Sequence, residues 1–191
     1  DSTAEMEISV CSREYGSKAL MPDEEMISDM SLLIYDIRGN LEYSTYIDKG
    51  TCRVNLLKGK RYTFCACINF GYRITAGSME ELMGTFYHMA YPDEYREGMP
   101  MFASLDGFTA GESDRIVLRL ERLMAKISLK LDRSRLSEDV TMNVVAARIG
   151  NCPKSVNICG PSKVSQHDQC FPVGFSSRRY KRTDSIFSLS V

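Results

Sequence analysis

The sequence predicts an all-β domain, a sandwich of two packed sheets with one short helix near residues 79–90. From Met30 onward, apolar runs of about five to eight residues alternate with turn signals, which is the pattern of an all-β domain. In two longer runs, the alternation of apolar and polar residues shifts by one position. Such a shift indicates a bulge or a strand that bends between two sheets, and it favours a sandwich over one flat sheet.

The first half of the chain carries the clearest strands. Residues 1–25 are polar and mixed, and we expect either a mobile arm or a loose first strand there. The run Met30–Ile37 stops before Gly39 and Asn40, which both tolerate positive φ and suit a tight hairpin turn. Two further strands are predicted after this turn, Leu41–Ile47 and Thr51–Leu57.

The segment from Arg61 to Phe70 has the most regular alternation. The apolar residues on one face are Tyr62, Phe64, Ala66, Ile68 and Phe70, and the residues opposite are Thr63, Cys65, Cys67 and Asn69. A period of two residues predicts a strand with one face on a core.

One helix is predicted within the β pattern. Ser78 and Glu81 form a capping box, in which the hydroxyl and the carboxylate each accept from first-turn amides. Apolar residues recur at helical spacing after it, and Pro92 ends the element. These positions are Met79, Leu82, Met83, Phe86 and Met89.

The second β block runs from Arg115 to Leu131, and its alternation shifts near Glu121–Leu123. A similar shift occurs within Val140–Ile149. Residues 160–185 show no clear strand pattern, whereas Ile186–Val191 could form a terminal strand.

Composition and charge exclude several functions. The 24 Lys and Arg balance the 25 Asp and Glu, so no nucleic-acid partner is expected. No apolar stretch approaches the roughly 18–20 residues of a membrane span, and no hydrophobic signal core is visible. Because the chain opens on Asp1, we expect a mature form or an expressed fragment, with any targeting segment removed. Seven cysteines at irregular spacing make a poor disulfide framework and leave the compartment open.

Two cysteine motifs are candidate sites. Cys65 and Cys67 could suggest a metal, but structural zinc sites pair cysteines at longer spacings, and the two histidines lie far away in sequence. Packing is the favoured interpretation. The segment Ile8–Cys11 resembles a lipobox, yet no apolar segment precedes it, which favours an ordinary cysteine in an N-terminal strand.

No enzyme site is predicted. Asp93, Glu94 and Glu97 could suggest a calcium loop or a glycosidase acid pair, but the spacing favours a charged surface loop. There is no glycine-rich phosphate loop, no nucleophile elbow and no histidine-centred triad. We therefore assign no catalytic, cofactor-binding or metal-binding residue and expect no cofactor.

Particular segments resemble the fimbrillin-associated anchor family of Bacteroidales-type fimbriae, over roughly residues 28–175. They combine strand, turn and loop motifs that are fairly specific together and weak singly. The segments are Ser31–Asp36 with Gly39-Asn40, Lys60–Asn69 continuing to Tyr72, Tyr91–Met101, Leu120–Ile127, Asp132–Ser134 and Arg148–Pro153.

The resemblance implies a transthyretin-like Greek-key β-sandwich in each of two tandem domains. It also implies export to the cell surface, attachment to the outer membrane as a lipoprotein, and a role in anchoring the pilus or controlling its length. The partners would be other fimbrial subunits, joined by strand addition, in which one chain completes the sheet of another. The lipid anchor itself is not visible in this chain.

The sequence departs from the family in length. We expect residues 1–25 to be the arm, residues 26–160 to be one complete sandwich domain, and residues 161–191 to be a tail or the truncated start of a second domain. The chain is therefore expected to be a short or truncated member.

The predicted function is that of a non-enzymatic fimbrial anchor or assembly subunit acting through protein–protein contacts. An exposed sheet edge, completed by residues 1–25 or by Ile186–Val191, would be the working surface. The first alternative is a carbohydrate-binding or adhesin module. Such a module needs an exposed aromatic cluster, which Tyr43, Tyr46 and Tyr72 could supply. The second alternative is a small hydrolase built on the acidic loop.

Overall fold

A computed structural model of the chain describes part of its length. The described residues are 2–12, 26–88, 98–124, 128–132, 135, 137, 139–140, 147–153, 155–159, 169–173 and 186–190. The chain divides into two compact units, one made of residues 1–124 and 155–164, the other of residues 125–154 and 165–191. This grouping differs from the expected division into an arm, a domain over 26–160 and a tail.

The described residues are nearly all β, as predicted. They form one helix, α1 (Met79–Met83), and thirteen strands. The strands of the first unit are β1 (Thr3–Ser12), β2 (Met30–Asp36), β3 (Leu41–Ile47), β4 (Thr51–Leu57), β5 (Arg61–Ile68), β6 (Phe86–His88), β7 (Met101–Thr109), β8 (Arg115–Arg122) and β11 (Ser155–Asn157). Those of the second unit are β9 (Ser128–Asp132), β10 (Ala147–Cys152), β12 (Gln169–Val173) and β13 (Ile186–Ser190).

Seven strands of the first unit form one curled sheet in the order β3-β2-β5-β7-β8-β1-β4. The join lies between β7 and β8, which pair only at one end, through Met101 with Arg122 and Phe102 with Glu121. The two halves, β3-β2-β5-β7 and β8-β1-β4, therefore behave as the two layers of a sandwich. Alternate residues of both layers meet in one core, which includes Met6, Ile8, Leu32, Val54, Phe64 and Leu118.

β1 is an integral strand of this sheet. It pairs antiparallel with β4 and parallel with β8, and Met6 and Ile8 are fully buried. Of the two alternatives expected for residues 1–25, a mobile arm or a first strand, residues 3–12 form a strand, because their apolar positions face the core at period two. Residues 13–25 lie outside the described part of the chain.

The outer face of β2 and β5 is also buried. Cys65 and Cys67 on β5 join Leu33 and Tyr35 on β2 in a second apolar cluster. α1 covers this cluster with Leu82, and the small sheet of β6 and β11 covers it with Val156. The sequence predicted one buried face for β5, and that prediction is wrong because a further layer covers the other face.

The helix is confirmed. The hydroxyl of its N-cap Ser78 bonds as predicted, whereas the Glu81 carboxylate bonds an amide one residue before the cap. The backbone amide of Glu81 donates to Oγ of Ser78, at 3.1 Å. The Glu81 carboxylate in turn accepts from the amide of Gly77 at 2.7 Å. α1 ends at Met83, however, and Phe86–His88 continues as a strand, so the predicted extent to residue 90 is too long.

The shift in alternation near Glu121–Leu123 falls on the end of β8 and the boundary of the first unit. The next described strand, β9, belongs to the second unit, where it pairs with β13, the predicted terminal strand. β10 and β12 form another antiparallel pair in that unit. The second shift, within Val140–Ile149, falls mostly on residues 141–146, outside the described part of the chain.

Candidate interaction surface

The two edges of the seven-stranded sheet are β3 and β4, and they are not equally open. The edge of β3 is partly covered, because the amide of Leu41 donates to the carbonyl of Gly77 at 3.1 Å. Arg73 adds a contact further along, from Nη2 to Oγ of Ser44 at 2.7 Å. β4 pairs with β1 along its whole length and, among the residues described, with no second strand.

The hydrogen-bonding direction of each β4 residue follows from its register with β1. The amide of Val10 donates to the carbonyl of Gly50, and the amide of Lys58 donates to that of Ser2, each at 3.0 Å. Both contacts join residues opposite each other in the register, so the even-numbered residues of β4 direct their amide and carbonyl groups to β1. The odd-numbered residues Thr51, Arg53 and Asn55 direct theirs to the open edge. At the end of the strand, by contrast, the amide of Leu57 donates to Oη of Tyr62 at 3.3 Å, and its carbonyl accepts from the amide of Lys60 at 3.2 Å.

The inner side of β4 is apolar. Val54 is 2% exposed and Leu56 is buried, whereas Cys52 is partly buried against the same core. Tyr43 and Ile47 of β3, the strand that ends the other layer, are also partly buried against this core. The open flank of the sandwich therefore has an apolar lining that its own strands cover incompletely.

The outer face of the β8-β1-β4 layer carries a ladder of charges. Glu7 of β1 lies opposite both Arg53 of β4 and Arg115 of β8. The Glu7 carboxylate is 3.2 Å from Nε of Arg115 and 3.8 Å from Nη2 of Arg53. Glu5 lies 4.0 Å from Arg53, whose side chain stays 68% exposed.

The aromatic residues predicted for a glycan site do not all share a face. Tyr46 is 39% exposed and Tyr72 is 53% exposed. Tyr46 lies opposite Ser31 on the outer side of β2, and the loop that follows Tyr72 crosses there, with the amide of Ile74 donating to Ser31 Oγ at 2.9 Å. Tyr43 instead packs against the inner core. The structure thus leaves Tyr46 and Tyr72 as exposed candidates and removes Tyr43.

Three cysteines considered as candidate sites lie on strands. Cys65 and Cys67 are fully buried in the second apolar cluster, which confirms packing. Burial, with a smaller contribution from Cys159, raises the pKa of Cys65 to about 12, and burial raises that of Cys67 well above its usual value. Cys11 lies on β1, as an ordinary strand residue, and is exposed.

Other candidates give no site within the described part of the chain. Asp93, Glu94 and Glu97 lie outside the described residues. Where the structure is described, no three His, Cys, Asp or Glu side chains group as metal ligands would. The one helix formed by these residues, Met79–Met83, is far shorter than the roughly 20 residues that cross a bilayer.

Sequence reasoning placed β4 correctly but did not identify it as the open edge. Its bounds were predicted as Thr51–Leu57, and its alternate burial agrees with them. The position of a strand within a sheet depends on pairing partners distant in sequence, so no local pattern marks an edge.

Comparison with solved structures shows a shared fold. A fimbrilin from Porphyromonas gingivalis superposes with a TM-score of 0.62 at 16% identity, covering 85% of this chain and 53% of the fimbrilin. The fimbrial anchor protein Mfa2 of the same species superposes with a TM-score of 0.56 at 13% identity, covering 99% of this chain and 72% of Mfa2. A protein assigned as an adhesin from Bacteroides thetaiotaomicron superposes with a TM-score of 0.64 at 12% identity, covering 99% of this chain and 70% of the adhesin.

These identities show likeness of fold, and at that level the resemblance found in the sequence is confirmed. The chain spans about half the length of the fimbrilin and about seven-tenths of the other two proteins. No protein-family model and no curated protein matches the sequence.

Proposed function

We propose that the chain is a non-enzymatic subunit of a bacterial surface fimbria, an anchor or assembly protein that works through contacts with other fimbrial subunits. The observation that carries the proposal is the fold, which is shared with a fimbrilin and with a fimbrial anchor protein. Attachment to the outer membrane as an exported lipoprotein belongs to the same proposal, on the resemblance alone.

Strand addition is the proposed mode of contact. An extended segment that joins an open sheet edge gains main-chain hydrogen bonds, and pockets for its alternate side chains provide specificity. The sheet described here supports this mode because β4 has a strand on one side only among the described residues.

The two terminal segments are the candidates for completing an edge. Residues 3–12 form β1, so removing residues 1–25 would open both β8 and β4 and expose the core beneath Met6 and Ile8. Loss of solubility is expected for this deletion, and also for deletion of residues 186–191, which include β13. Monomeric behaviour unchanged after both deletions would contradict a role for these segments.

The proposed function is tested in the organism that encodes the chain. Deleting the gene should change the number, length or retention of surface fimbriae in electron micrographs, and the intact gene should restore them. Surface labelling of the cells should detect the protein, and metabolic labelling with a fatty-acid analogue should mark it. Unchanged fimbriae in the deletion strain would contradict the proposal.

A carbohydrate-binding role is the second candidate, because Tyr46 and Tyr72 are both exposed towards the outer side of β2. Exposed aromatic rings can stack on the apolar faces of sugars. A glycan array should then show binding that Tyr46→Ala and Tyr72→Ala reduce. Tyr43→Phe, at the inner core, serves as the matched control and should bind as the unaltered chain does.

A further inference from the structure

We infer that the open edge of β4 accepts an extended strand from another subunit, and that apolar residues alternate with acidic residues in this strand. The inference rests on the proposed function, because it names the surface and the partner chemistry through which such a subunit would join others.

The backbone of β4 is arranged to receive such a strand. The amides and carbonyls of Thr51, Arg53 and Asn55 face the edge, as the register with β1 requires, whereas those of Leu57 are already bonded to Tyr62 and Lys60. The row from Thr51 to Asn55 suits an added strand of ordinary length, which is about five to six residues. An added strand would make its ladder with Thr51, Arg53 and Asn55 and leave the ladder with β1 intact.

The inner side of the edge indicates which side chains the partner strand directs towards the core. Side chains of an added strand that lie beside Cys52, Val54 and Leu56 would face the core of the sandwich. Across the flank they would meet Tyr43 and Ile47, which that core covers only partly. Burial at such positions favours apolar residues.

The outer side of the β4 edge indicates which side chains the partner strand directs away from the core. Side chains of the added strand beside Arg53 would lie on the charged face, where the guanidinium is 68% exposed. Its contacts with Glu5 and Glu7 are long, at 4.0 and 3.8 Å, and both come from the β1 side. A carboxylate on the open side would therefore find a cation directly across the strands, a pairing that stabilises adjacent strands.

β1 shows that this chemistry suits β4. Its inward residues include Met6 and Ile8, and its outward residues opposite β4 include Glu5 and Glu7. A strand of the same alternation would present an equivalent surface to the other side of β4. A peptide with the sequence of residues 3–10 is therefore a suitable probe for the edge.

The test is a fluorescence-anisotropy titration of the labelled, end-capped peptide Thr3–Val10 with the full chain. Asn55→Pro removes an amide that faces the open edge and keeps every amide that donates to β1. It should weaken binding at least tenfold, whereas the matched variant Asn55→Ala should stay within about twofold. Thr51→Pro, at the first residue of the strand, should weaken binding as well, and it tests the edge independently if Asn55→Pro does not fold.

A charge exchange tests the partner chemistry. The peptide with lysine in place of Glu5 and Glu7 should bind about three- to tenfold more weakly than the original. Arg53→Glu should reverse this preference, and circular dichroism should show that the variant remains folded.

Each other outcome overturns the inference. Equal binding to the Asn55→Pro and Asn55→Ala variants would mean that the peptide enters elsewhere, for example by displacing β1. No binding to the unaltered chain would contradict a strand-accepting edge at β4. No effect of the charge exchange would contradict acidic residues in the partner strand. These results leave the fimbrial role itself to the gene-deletion experiment, so the two failures are distinguishable.

Discussion

At the scale of single residues, Asn69 ties together segments that are distant in sequence. It adopts φ +61° just after β5, a left-handed conformation that asparagine tolerates better than most residues. Its side-chain amide donates to the carbonyls of Met26 at 2.7 Å and Met99 at 3.1 Å, and its oxygen accepts from the amide of Ser28 at 2.8 Å. One side chain thereby fixes the chain entering β2 and the chain entering β7.

Two variants of Asn69 separate the contribution of the side chain from that of the backbone. Asn69→Gly keeps the left-handed conformation and removes three hydrogen bonds, so the free energy of unfolding should fall by about 2–4 kcal/mol. Asn69→Ala should be less stable than Asn69→Gly by about 1 kcal/mol, since a positive φ is unfavourable for alanine, which has a Cβ, and not for glycine. Urea unfolding measures both, and a glycine variant as stable as the unaltered chain would contradict this role.

The buried thiol of Cys65 makes stability depend on alkaline pH. Its pKa is raised from 9.0 to about 12 in the folded chain, so between these values the unfolded state ionises and the folded state does not. Stability should be unaffected by this group below pH 9 and should fall as the pH rises towards 12. The raised pKa values of Cys67 and Tyr35 act in the same direction.

Cys65→Ala serves as the comparison for this effect. The variant is expected to lose less stability between pH 8 and pH 10.5 than the unaltered chain, as measured by urea unfolding at each pH. The same slope in both proteins would contradict the assignment. Exposed Cys11 provides an internal control, because a thiol reagent should modify it in the folded chain long before Cys65 reacts.

At the scale of secondary-structure elements, β1 holds the second layer together. Ile8 lies opposite Cys52 of β4 and Ile116 of β8, at full burial. Ile8→Ala should lower the free energy of unfolding by about 2–5 kcal/mol, because it leaves a cavity between three strands. Ser9→Ala, one residue along and half-buried, removes only the 3.4 Å hydrogen bond from its Oγ to the carbonyl of Ile116. It should cost about 1 kcal/mol or less when both variants are compared by thermal unfolding.

Local alternation was enough to place most elements of the first unit. β3 and β4 have the predicted bounds, and β8 shows the predicted alternate burial. Three other strands were missed. β7 follows a proline and contains Gly107 at φ +67°, where a bulge interrupts the alternation, whereas β6 and β11 have three residues each, too few to show a period.

Long-range pairing explains what the sequence did not reveal about the candidate surface. Cys65 and Cys67 look like the weakly polar side of a half-exposed strand, and only α1 and the β6-β11 pair bury them. Whether a strand ends a sheet likewise depends on which neighbours it lacks. The sequence therefore predicted the strand Thr51–Leu57 and its inner side chains, while its position at an edge required the sheet order.

At the scale of the whole molecule, the first unit depends on a segment that returns from beyond residue 124. Val156 and Ile158, at 2% and 1% exposure, belong to the second apolar cluster. A fragment of residues 1–164 should therefore keep cooperative thermal unfolding, whereas a fragment of residues 1–124 should lose several kcal/mol or fail to fold. Equal melting temperatures for both fragments would contradict this division of the chain.

The parallel pairing of β1 with β8 also sets the order of events during synthesis. Oγ of Ser9 donates to the carbonyl of Ile116, 107 positions later in the chain. At roughly 5–20 residues per second, the ribosome would make the first strand about 5–20 seconds before its parallel partner exists. β1 can pair with β4 much earlier, but its parallel side is completed only after β8 has been made, and closing so long a loop before that contact forms favours slow folding.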